Sequence, residues 1–327
     1  MRVSYSALLL SSLLYSGLAA SGPIDLLNEY NLIVFNDLDS QSAVEGHTLV
    51  MGNLNGTASN YGTGSAPVGG SHPALVIGGD LNATVQIENG HNAVLGGVNN
   101  GAINFNGSGG SLTTDTSGYN FPQIQTDLTA YSAYLASLSS NSLLSTPSSC
   151  CGNALFNVNN TVGSSESVFA ISASTLFENP YVQAYDIDFQ GQNPYAVIIN
   201  VAGSHIDDAA FTANPIGNFT NSAILDVIIW NFYEAETINL TRQLGGHLLA
   251  PLATLTNASN LKGAVVVNNL IQRALIQQPY DDSFPPVSGS YPVPAPATLP
   301  LLLIGIGGTL WCQRRPRRPS PAHAIAA

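Results

Sequence analysis

Leu75-Val76-Ile77-Gly78-Gly79-Asp80-Leu81 is the stretch whose reading decides the fold. The same phrase, a short apolar run, then glycine, then an acid or amide beside a leucine, stands upstream as Leu49-Val50-Met51-Gly52-Asn53-Leu54. It returns downstream as Ala93-Val94-Leu95-Gly96-Gly97-Val98. The steps from Gly52 to Gly78 and from Gly78 to Gly96 are 26 and 18 residues, a period suited to one solenoid coil per phrase. One such coil cannot bury its inward side alone, so the core must come from stacking. Glycine then supplies corners that need positive φ, and the abundant asparagines can form side-chain ladders between coils. The expected fold is all-β, a β-solenoid of the parallel β-helix kind.

Outward from this repeat, residues 119–140 break the pattern. Ile124, Leu128, Tyr131, Leu135 and Leu138 follow at spacings of three and four behind Pro122, which predicts one amphipathic helix over about 120–140, packed on the flank of the solenoid. Strand signals return at 167–171, 195–201, 223–232, 246–255 and 263–270, each bounded by Gly, Pro or Asn. A Pro-rich stretch then forbids regular pairing, so the folded body is expected over 23–286 with a linker at 287–292.

Both ends read as processing signals. Met1 to Ala20 has one Arg, an apolar stretch and small residues placed for cleavage, the anatomy of a signal peptide. Five of the eight basic residues lie in this leader or in the extreme tail, leaving Arg242, Lys262 and Arg273 against 20 acids, a difference of −17. Nucleic acid is thereby excluded as a partner, because its binding rests on cationic side chains that neutralise phosphates. Cys150 and Cys151 are the only cysteines of the body; in an oxidising compartment they can form a vicinal disulfide, link to another chain, or stay free.

Near the C-terminus Val293, Pro294, Ala295 and Pro296 introduce a short apolar span at 299–311, followed by Arg314, Arg315, Arg317 and Arg318. Thirteen helical residues reach about 20 Å, short of a bilayer core of about 30 Å, so the span suits temporary anchoring. The arginines should remain cytoplasmic, with the body on the exported side. This order resembles the PEP-CTERM sorting signal, with Ala295 where that family carries an acid. The resemblance implies an exosortase-type processing enzyme as partner, and an envelope associated with exopolysaccharide.

The body resembles the choice-of-anchor A domain. The matching phrases are Val34-Phe35-Asn36-Asp37-Leu38, Val44-Glu45-Gly46, the Gly78-Gly79 phrase, Ile229-Trp230-Asn231-Phe232, Gly246-His247-Leu248-Leu249-Ala250-Pro251, Gly263-Ala264-Val265-Val266-Val267 and Pro285-Pro286. The resemblance implies an adhesin-like β-helical extracellular domain with no catalytic residues.

Chemistry was sought and weighed. The carboxylate pairs Asp37/Asp39, Asp186/Asp188, Asp207/Asp208 and Asp281/Asp282 are what a β-helical polysaccharide lyase or hydrolase would need for acid and base catalysis. Asp186 and Asp188, two apart on a strand, share a face and are weak candidates for Ca²⁺, although no complete Ca²⁺ loop is present and no other cofactor is expected. His47, His72, His91, His205 and His247 read as scattered, without a zinc spacing. Ile228, Trp230 and Phe232 alternate as one buried strand face. An ice- or mineral-binding surface ranks low, since no regular Thr-x-Thr ladder is evident. The expectation is a non-catalytic, exported surface or matrix adhesin, sorted through the membrane tail to the cell envelope or outside.

Overall fold

Each phrase folds as one three-sided coil. The first contributes Leu32–Val34, Leu38–Ser40 and Ala43–Val44, and the second Thr48–Val50, Leu54–Gly56 and Ala58–Tyr61. In the third and fourth, Leu75–Ile77 and Ala93–Leu95 lead through bridges at Leu81 and Asn99 to Thr84–Ile87 and Ala102–Phe105. These coils pair in parallel throughout. The computed structural model describes residues 22–64, 72–159, 166–209, 213–280 and 283–287. The leader at 1–20, the sorting tail at 293–318 with its span at 299–311, and Asp281 and Asp282 lie outside the described residues. The chain divides into two units between Tyr291 and Pro292, and the first is the subject below.

The recurring corner glycine, Gly52, Gly79 and Gly97, has a geometric cause. Asp37 Oδ1 accepts from the Asn53 backbone N–H at 2.7 Å, Asn53 Oδ1 from that of Asp80 at 2.8 Å, and Asp80 Oδ1 from that of Val98 at 2.7 Å. One polar side chain per coil thus caps the next coil's corner, satisfying an N–H that would otherwise be orphaned. The glycine is needed because that oxygen occupies the space of a Cβ: one added at Gly79 would lie 2.6 Å from Asn53 Oδ1, and one at Gly97 2.3 Å from Asp80 Oδ1. Beside this row Asn55, Asn82 and Asn100 form an amide ladder, at 2.8 and 2.9 Å.

The stacking order departs from the chain order. Along the main sheet it runs from Leu112–Thr113 through the four coils back to Leu32–Val34, then on to Val265–Gln272, His247–Asn257, Ile228–Asn231, Ala196–Ala202 and Glu166–Ser172. The chain therefore starts in the middle of the stack, climbs to one end, crosses to the other and climbs back to meet its own beginning. The seam pairs Leu32 with Val265, Ile33 with Val266 and Val34 with Val267. Asn31 locks it: its Nδ2 donates to the carbonyls of Gly263 and Gln277 at 2.7 and 3.1 Å, while its Oδ1 accepts from Gly46 N–H at 3.1 Å.

The crossing element is the expected helix. Two helices cover this face, α1 (Pro23–Glu29) and α2 (Phe121–Ser137). Asn120 caps α2 through the Gln123 N–H and Pro122 sits in its first turn. Leu128, Tyr131 and Leu135 are buried against the sheet's outward row, which includes Val76, Leu49, Ile33, Val266 and Leu249. Strands buried on both faces read as continuous apolar runs, which is why the phrase opens with them. Under α2 the outward row turns polar. Asn231 Nδ2 donates to Ser132 O and Asn200 Oδ1 at 2.9 and 2.8 Å, Ser132 Oγ donates to Asn231 Oδ1 at 2.6 Å, and Asn200 Nδ2 donates to Leu135 O at 2.8 Å. The inward row, with Trp230 and Phe232 fully buried among Phe156, Phe177 and Phe219, fills the interior.

Three expectations need correction. The run at 223–232 is not one strand: Asn221 caps Ala223 N–H at 3.2 Å and starts a helical turn, Ser222–Leu225, so the strand is only Ile228–Asn231. The chain between α2 and residue 215 does not simply resume coiling. It adds a four-stranded sheet, Leu143–Ser145, Gly152–Asn157, Val182–Asp188 and Asn214–Pro215, whose first pair is antiparallel. The histidines are not scattered. His47, His72 and His91 precede successive coils, so the coil period carries them to one corner, where the His47 ring lies 6.0 Å from that of His72 and 5.9 Å from that of His91.

Candidate functional site

Helices α1 and α2 cover one of the three sides of the stack; another side, bare of helices, runs along the second strands of the coils. Its strands are His205–Asp207, Thr237–Leu240, the second half of His247–Asn257, the second half of Val265–Gln272, Leu38–Ser40 and Leu54–Gly56. Alternation assigns each residue. Ile206, Ile238, Leu255, Leu270, Leu38 and Leu54 point inward and are buried, whereas the residues on either side of them point out. Two outward rows result. The first aligns His205, Thr237, Thr254 and Asn269; the second aligns Asp207, Asn239, Thr256, Ile271, Asp39 and Asn55. With strands about 4.8 Å apart, these rows make a regular grid of hydroxyl, amide and carboxylate groups.

Hydrogen bonds between neighbours hold the grid in place. His205 Nδ1 lies 2.8 Å from Thr237 Oγ1, Asn239 Nδ2 donates to Asp207 Oδ1 at 3.0 Å, and Asn269 Nδ2 donates to Thr254 Oγ1 at 3.3 Å. Arg273 forms an ion pair with Asp39 at 2.9 Å at its far edge. Beside Glu178, the strands of His205, Thr237 and Thr254 enclose a shallow groove of about 360 Å³. The surface suits many weak, repeated contacts with an extended ligand more than it suits enclosure of a small one. Its sequence signals were the in-register triplets His205-Ile206-Asp207, Thr237-Ile238-Asn239 and Thr254-Leu255-Thr256. The last is a Thr-x-Thr unit, but the coil register that aligns it with the others is invisible without the fold.

Of the residues singled out from sequence, Asp39, Asp207 and His205 stand in the grid itself, and the other described ones lie elsewhere and are engaged. Asp186 and Asp188 share the outward side of Val182–Asp188, yet Asp186 Oδ1 accepts from the N–H groups of Ile187 and Asn218, both at 2.8 Å, and Asp188 Oδ1 from Gln190 N–H at 2.8 Å. Asp208 is buried and accepts from the N–H groups of Thr241 and Arg242. Asp37 belongs to the corner ladder. Among the described residues no group of three or more His, Cys, Asp or Glu side chains is placed to hold a metal ion. Cys150 and Cys151 are exposed and joined to each other as neighbours. Val293, Pro294, Ala295, Pro296, Arg314, Arg315, Arg317 and Arg318 lie outside the described residues. Among the described residues no helix is long and apolar enough to cross a membrane.

Two histidine environments are distinctive. At the corner cluster, His72 Nδ1 meets Glu29 Oε1 at 2.9 Å and His47 Nδ1 lies 3.1 Å from Glu29 O, while partial burial lowers the pKa of His91. His247 is fully buried against Phe284. Its Nδ1 accepts from Ala264 N–H at 3.1 Å, so Nε2 carries the proton toward Asp226 O at 3.1 Å. Burial pulls its pKa down to about 4 and keeps it neutral.

No curated protein matches the chain. Among solved structures, it is similar to an ice-binding protein from an Antarctic biological consortium, at 11% identity and a TM-score of 0.32, over 78% of this chain and 90% of that one. It is also similar to an ice-binding protein from an Antarctic bacterium, Flavobacteriaceae, at 12% identity and a TM-score of 0.29, over 78% and 82% of the two chains. Residues 23–278, nearly the whole stack from α1 to the last short strand, match a family model described as "Putative Ice-binding-like adhesive domain". The chain belongs to this family of ice-binding-like adhesive domains.

Proposed function

We propose that the protein is an exported, non-catalytic surface or matrix adhesin whose open sheet face grips an extended polymer, with exopolysaccharide as the ligand class. The observation that carries this reading is the in-register outward grid from His205 to Asn55, in a chain whose adhesive-domain family covers the same residues. The leader at 1–20 and the tail at 293–318 deliver it. The choice-of-anchor A resemblance supports a body that works with interchangeable anchors, and the PEP-CTERM resemblance supports processing near Pro294 by an exosortase-type enzyme. The non-catalytic assignment is supported by the three described pairs, Asp37/Asp39, Asp186/Asp188 and Asp207/Asp208, in which every carboxylate accepts a hydrogen bond or joins an ion pair within the fold. Retention on the host's purified exopolysaccharide tests the reading. Replacing Thr237 and Thr254 together by Lys should reduce retention at least tenfold, and Gln86→Lys on another side should leave it unchanged. Equal retention of both variants would refute the open face as the binding surface.

An ice-binding function is the second reading, favoured by the three threonines Thr237, Thr254 and Thr256 on adjacent strands. Ile271, Asp39, Asp207 and His205 interrupt those rows with groups of different size and charge. A lattice match needs uniform small groups, so polymer adhesion ranks first. Measured thermal hysteresis abolished by the Thr237/Thr254 double variant would reverse that order.

A further inference from the structure

The two ends of the stack are finished differently. At the end formed by Glu166–Ser172, the segment at 140–142 lies along the edge and uses its side chains as a substitute strand. Asn141 Nδ2 donates to Glu166 O at 2.9 Å, Asn141 Oδ1 accepts from Val168 N–H at 2.8 Å, and Ser142 N–H and Ser140 Oγ both donate to Val168 O at 3.1 Å. The main sheet is thus capped over Glu166–Val168, while Leu143–Ser145 and His205–Asp207 at this end each pair with one strand only among the described residues. At the other end Ala102–Phe105 pairs only with Thr84–Ile87, and Leu112–Thr113 only with Ala93–Leu95, so among the described residues their outer backbone groups meet no strand.

Open parallel edges are normally guarded by charge, proline or a covering loop. Here charge and proline are lacking, and among the described residues no strand pairs over the edge. From 96 to 114 the chain carries no Asp, Glu, Lys, Arg or Pro, in a body whose acids outnumber its bases by 17. Val98 is 60% exposed and Leu112 39%, and Ile103 and Phe105 are only partly covered although they continue the inward row of the core. The corner ladder stops at Val98, whose N–H donates to Asp80 Oδ1 but whose side chain offers no oxygen to a further coil. The absence of charge along this edge lets two strongly acidic bodies approach there, and the exposed apolar row would become core on pairing.

We propose that this bare end binds a second copy of the same chain, edge to edge, giving a two-fold dimer. On the main sheet the opposite edge is already taken by Asn141 and Ser142 at Glu166–Val168, which blocks head-to-tail addition there, so the contact is isologous and stops at two copies. In an antiparallel pair, residues directly opposite share a face. Inward residues must then meet inward ones, which centres the pairing of 102–105 on Ile103 or Asn104; with Asn104 on the axis, Ile103 of each copy faces Phe105 of the other. This proposal is independent of what the open face binds.

Sedimentation velocity of the full chain across a concentration series tests it. The wild type should dimerise, and Asn104→Lys, an exposed outward position that sets like charges together, should weaken dimerisation at least tenfold while leaving circular dichroism and the melting temperature unchanged. Asn153→Lys, near the closed end, should have no effect. As a second route, Asn104→Cys in a background lacking Cys150, Cys151 and Cys312 should crosslink to itself on oxidation. A monomer at all concentrations, or a dimer that Asn104→Lys leaves intact, as association through the C-terminal tail would, overturns the proposal.

Discussion

Gly79 and His247 show how single positions are set by their neighbours. At Gly79 an added methyl would meet Asn53 Oδ1 at 2.6 Å and the Gly52 backbone at 2.7 Å, and overpacking of this kind costs about 1–3 kcal/mol. Gly79→Ala should therefore lower the urea midpoint clearly, whereas Gly118→Ala, with nothing within 4 Å, should change stability by no more than about 0.5 kcal/mol. His247 makes stability depend on pH. Its folded pKa is lowered to about 4 from the ordinary 6.5, so the unfolded chain takes up the proton first and stability falls as pH drops from 6.5 toward 4. The loss is at most about 3 kcal/mol and levels off below that window. Denaturation at pH 7 and pH 4.5 should show a smaller difference for His247→Gln than for the wild type; an equal difference would mean that His247 does not titrate in this way. The glycine requirement was legible in the repeat, since Gly52, Gly79 and Gly97 recur at the same place after each apolar run. The tautomer of His247 was not, because both its partners are backbone groups of the two neighbouring coils, brought beside it only by the stacking.

Helix α2 was readable because its signals are local: Asn120 and Pro122 at the start, and Leu128, Tyr131 and Leu135 at helical spacing. What it rests on was less so. Asn200 and Asn231 sit within apolar strands, and only the register that aligns them beneath Ser132 and Leu135 explains two buried amides there. Asn231→Ala removes one member of this network and strands its buried partners, at a cost of about 1–3 kcal/mol. Thermal denaturation should register that loss, and amide exchange should accelerate in α2 more than in Leu32–Val34. Unchanged protection of α2 would show that apolar contacts alone hold it. The strand expected at 223–232 failed for a related reason, since a local cap at Asn221 outweighed an apolar run that reads equally well as helix or strand.

Across the molecule, the sequence revealed coils and a flanking helix but not that the last coil closes on the first. Every phrase obeys the same rule, so nothing local marks Leu32 and Val265 as partners. The seam makes the stack a single cooperative body, and Ile33, buried between Leu49 and Val266, tests this. Ile33→Ala should cost about 2–4 kcal/mol and leave one unfolding transition by calorimetry; two separate transitions would mean that the halves fold independently. The open face was equally hidden, because its rows gather residues from six separate segments between 39 and 271. Hydrogen-exchange footprinting of the full chain on the host exopolysaccharide tests most directly whether this face is the adhesive surface. The account predicts new protection at 205–207, 237–240, 254–257 and 269–272, with α2 and the strand Thr84–Ile87 unchanged; protection confined to α2 or to that strand would contradict it.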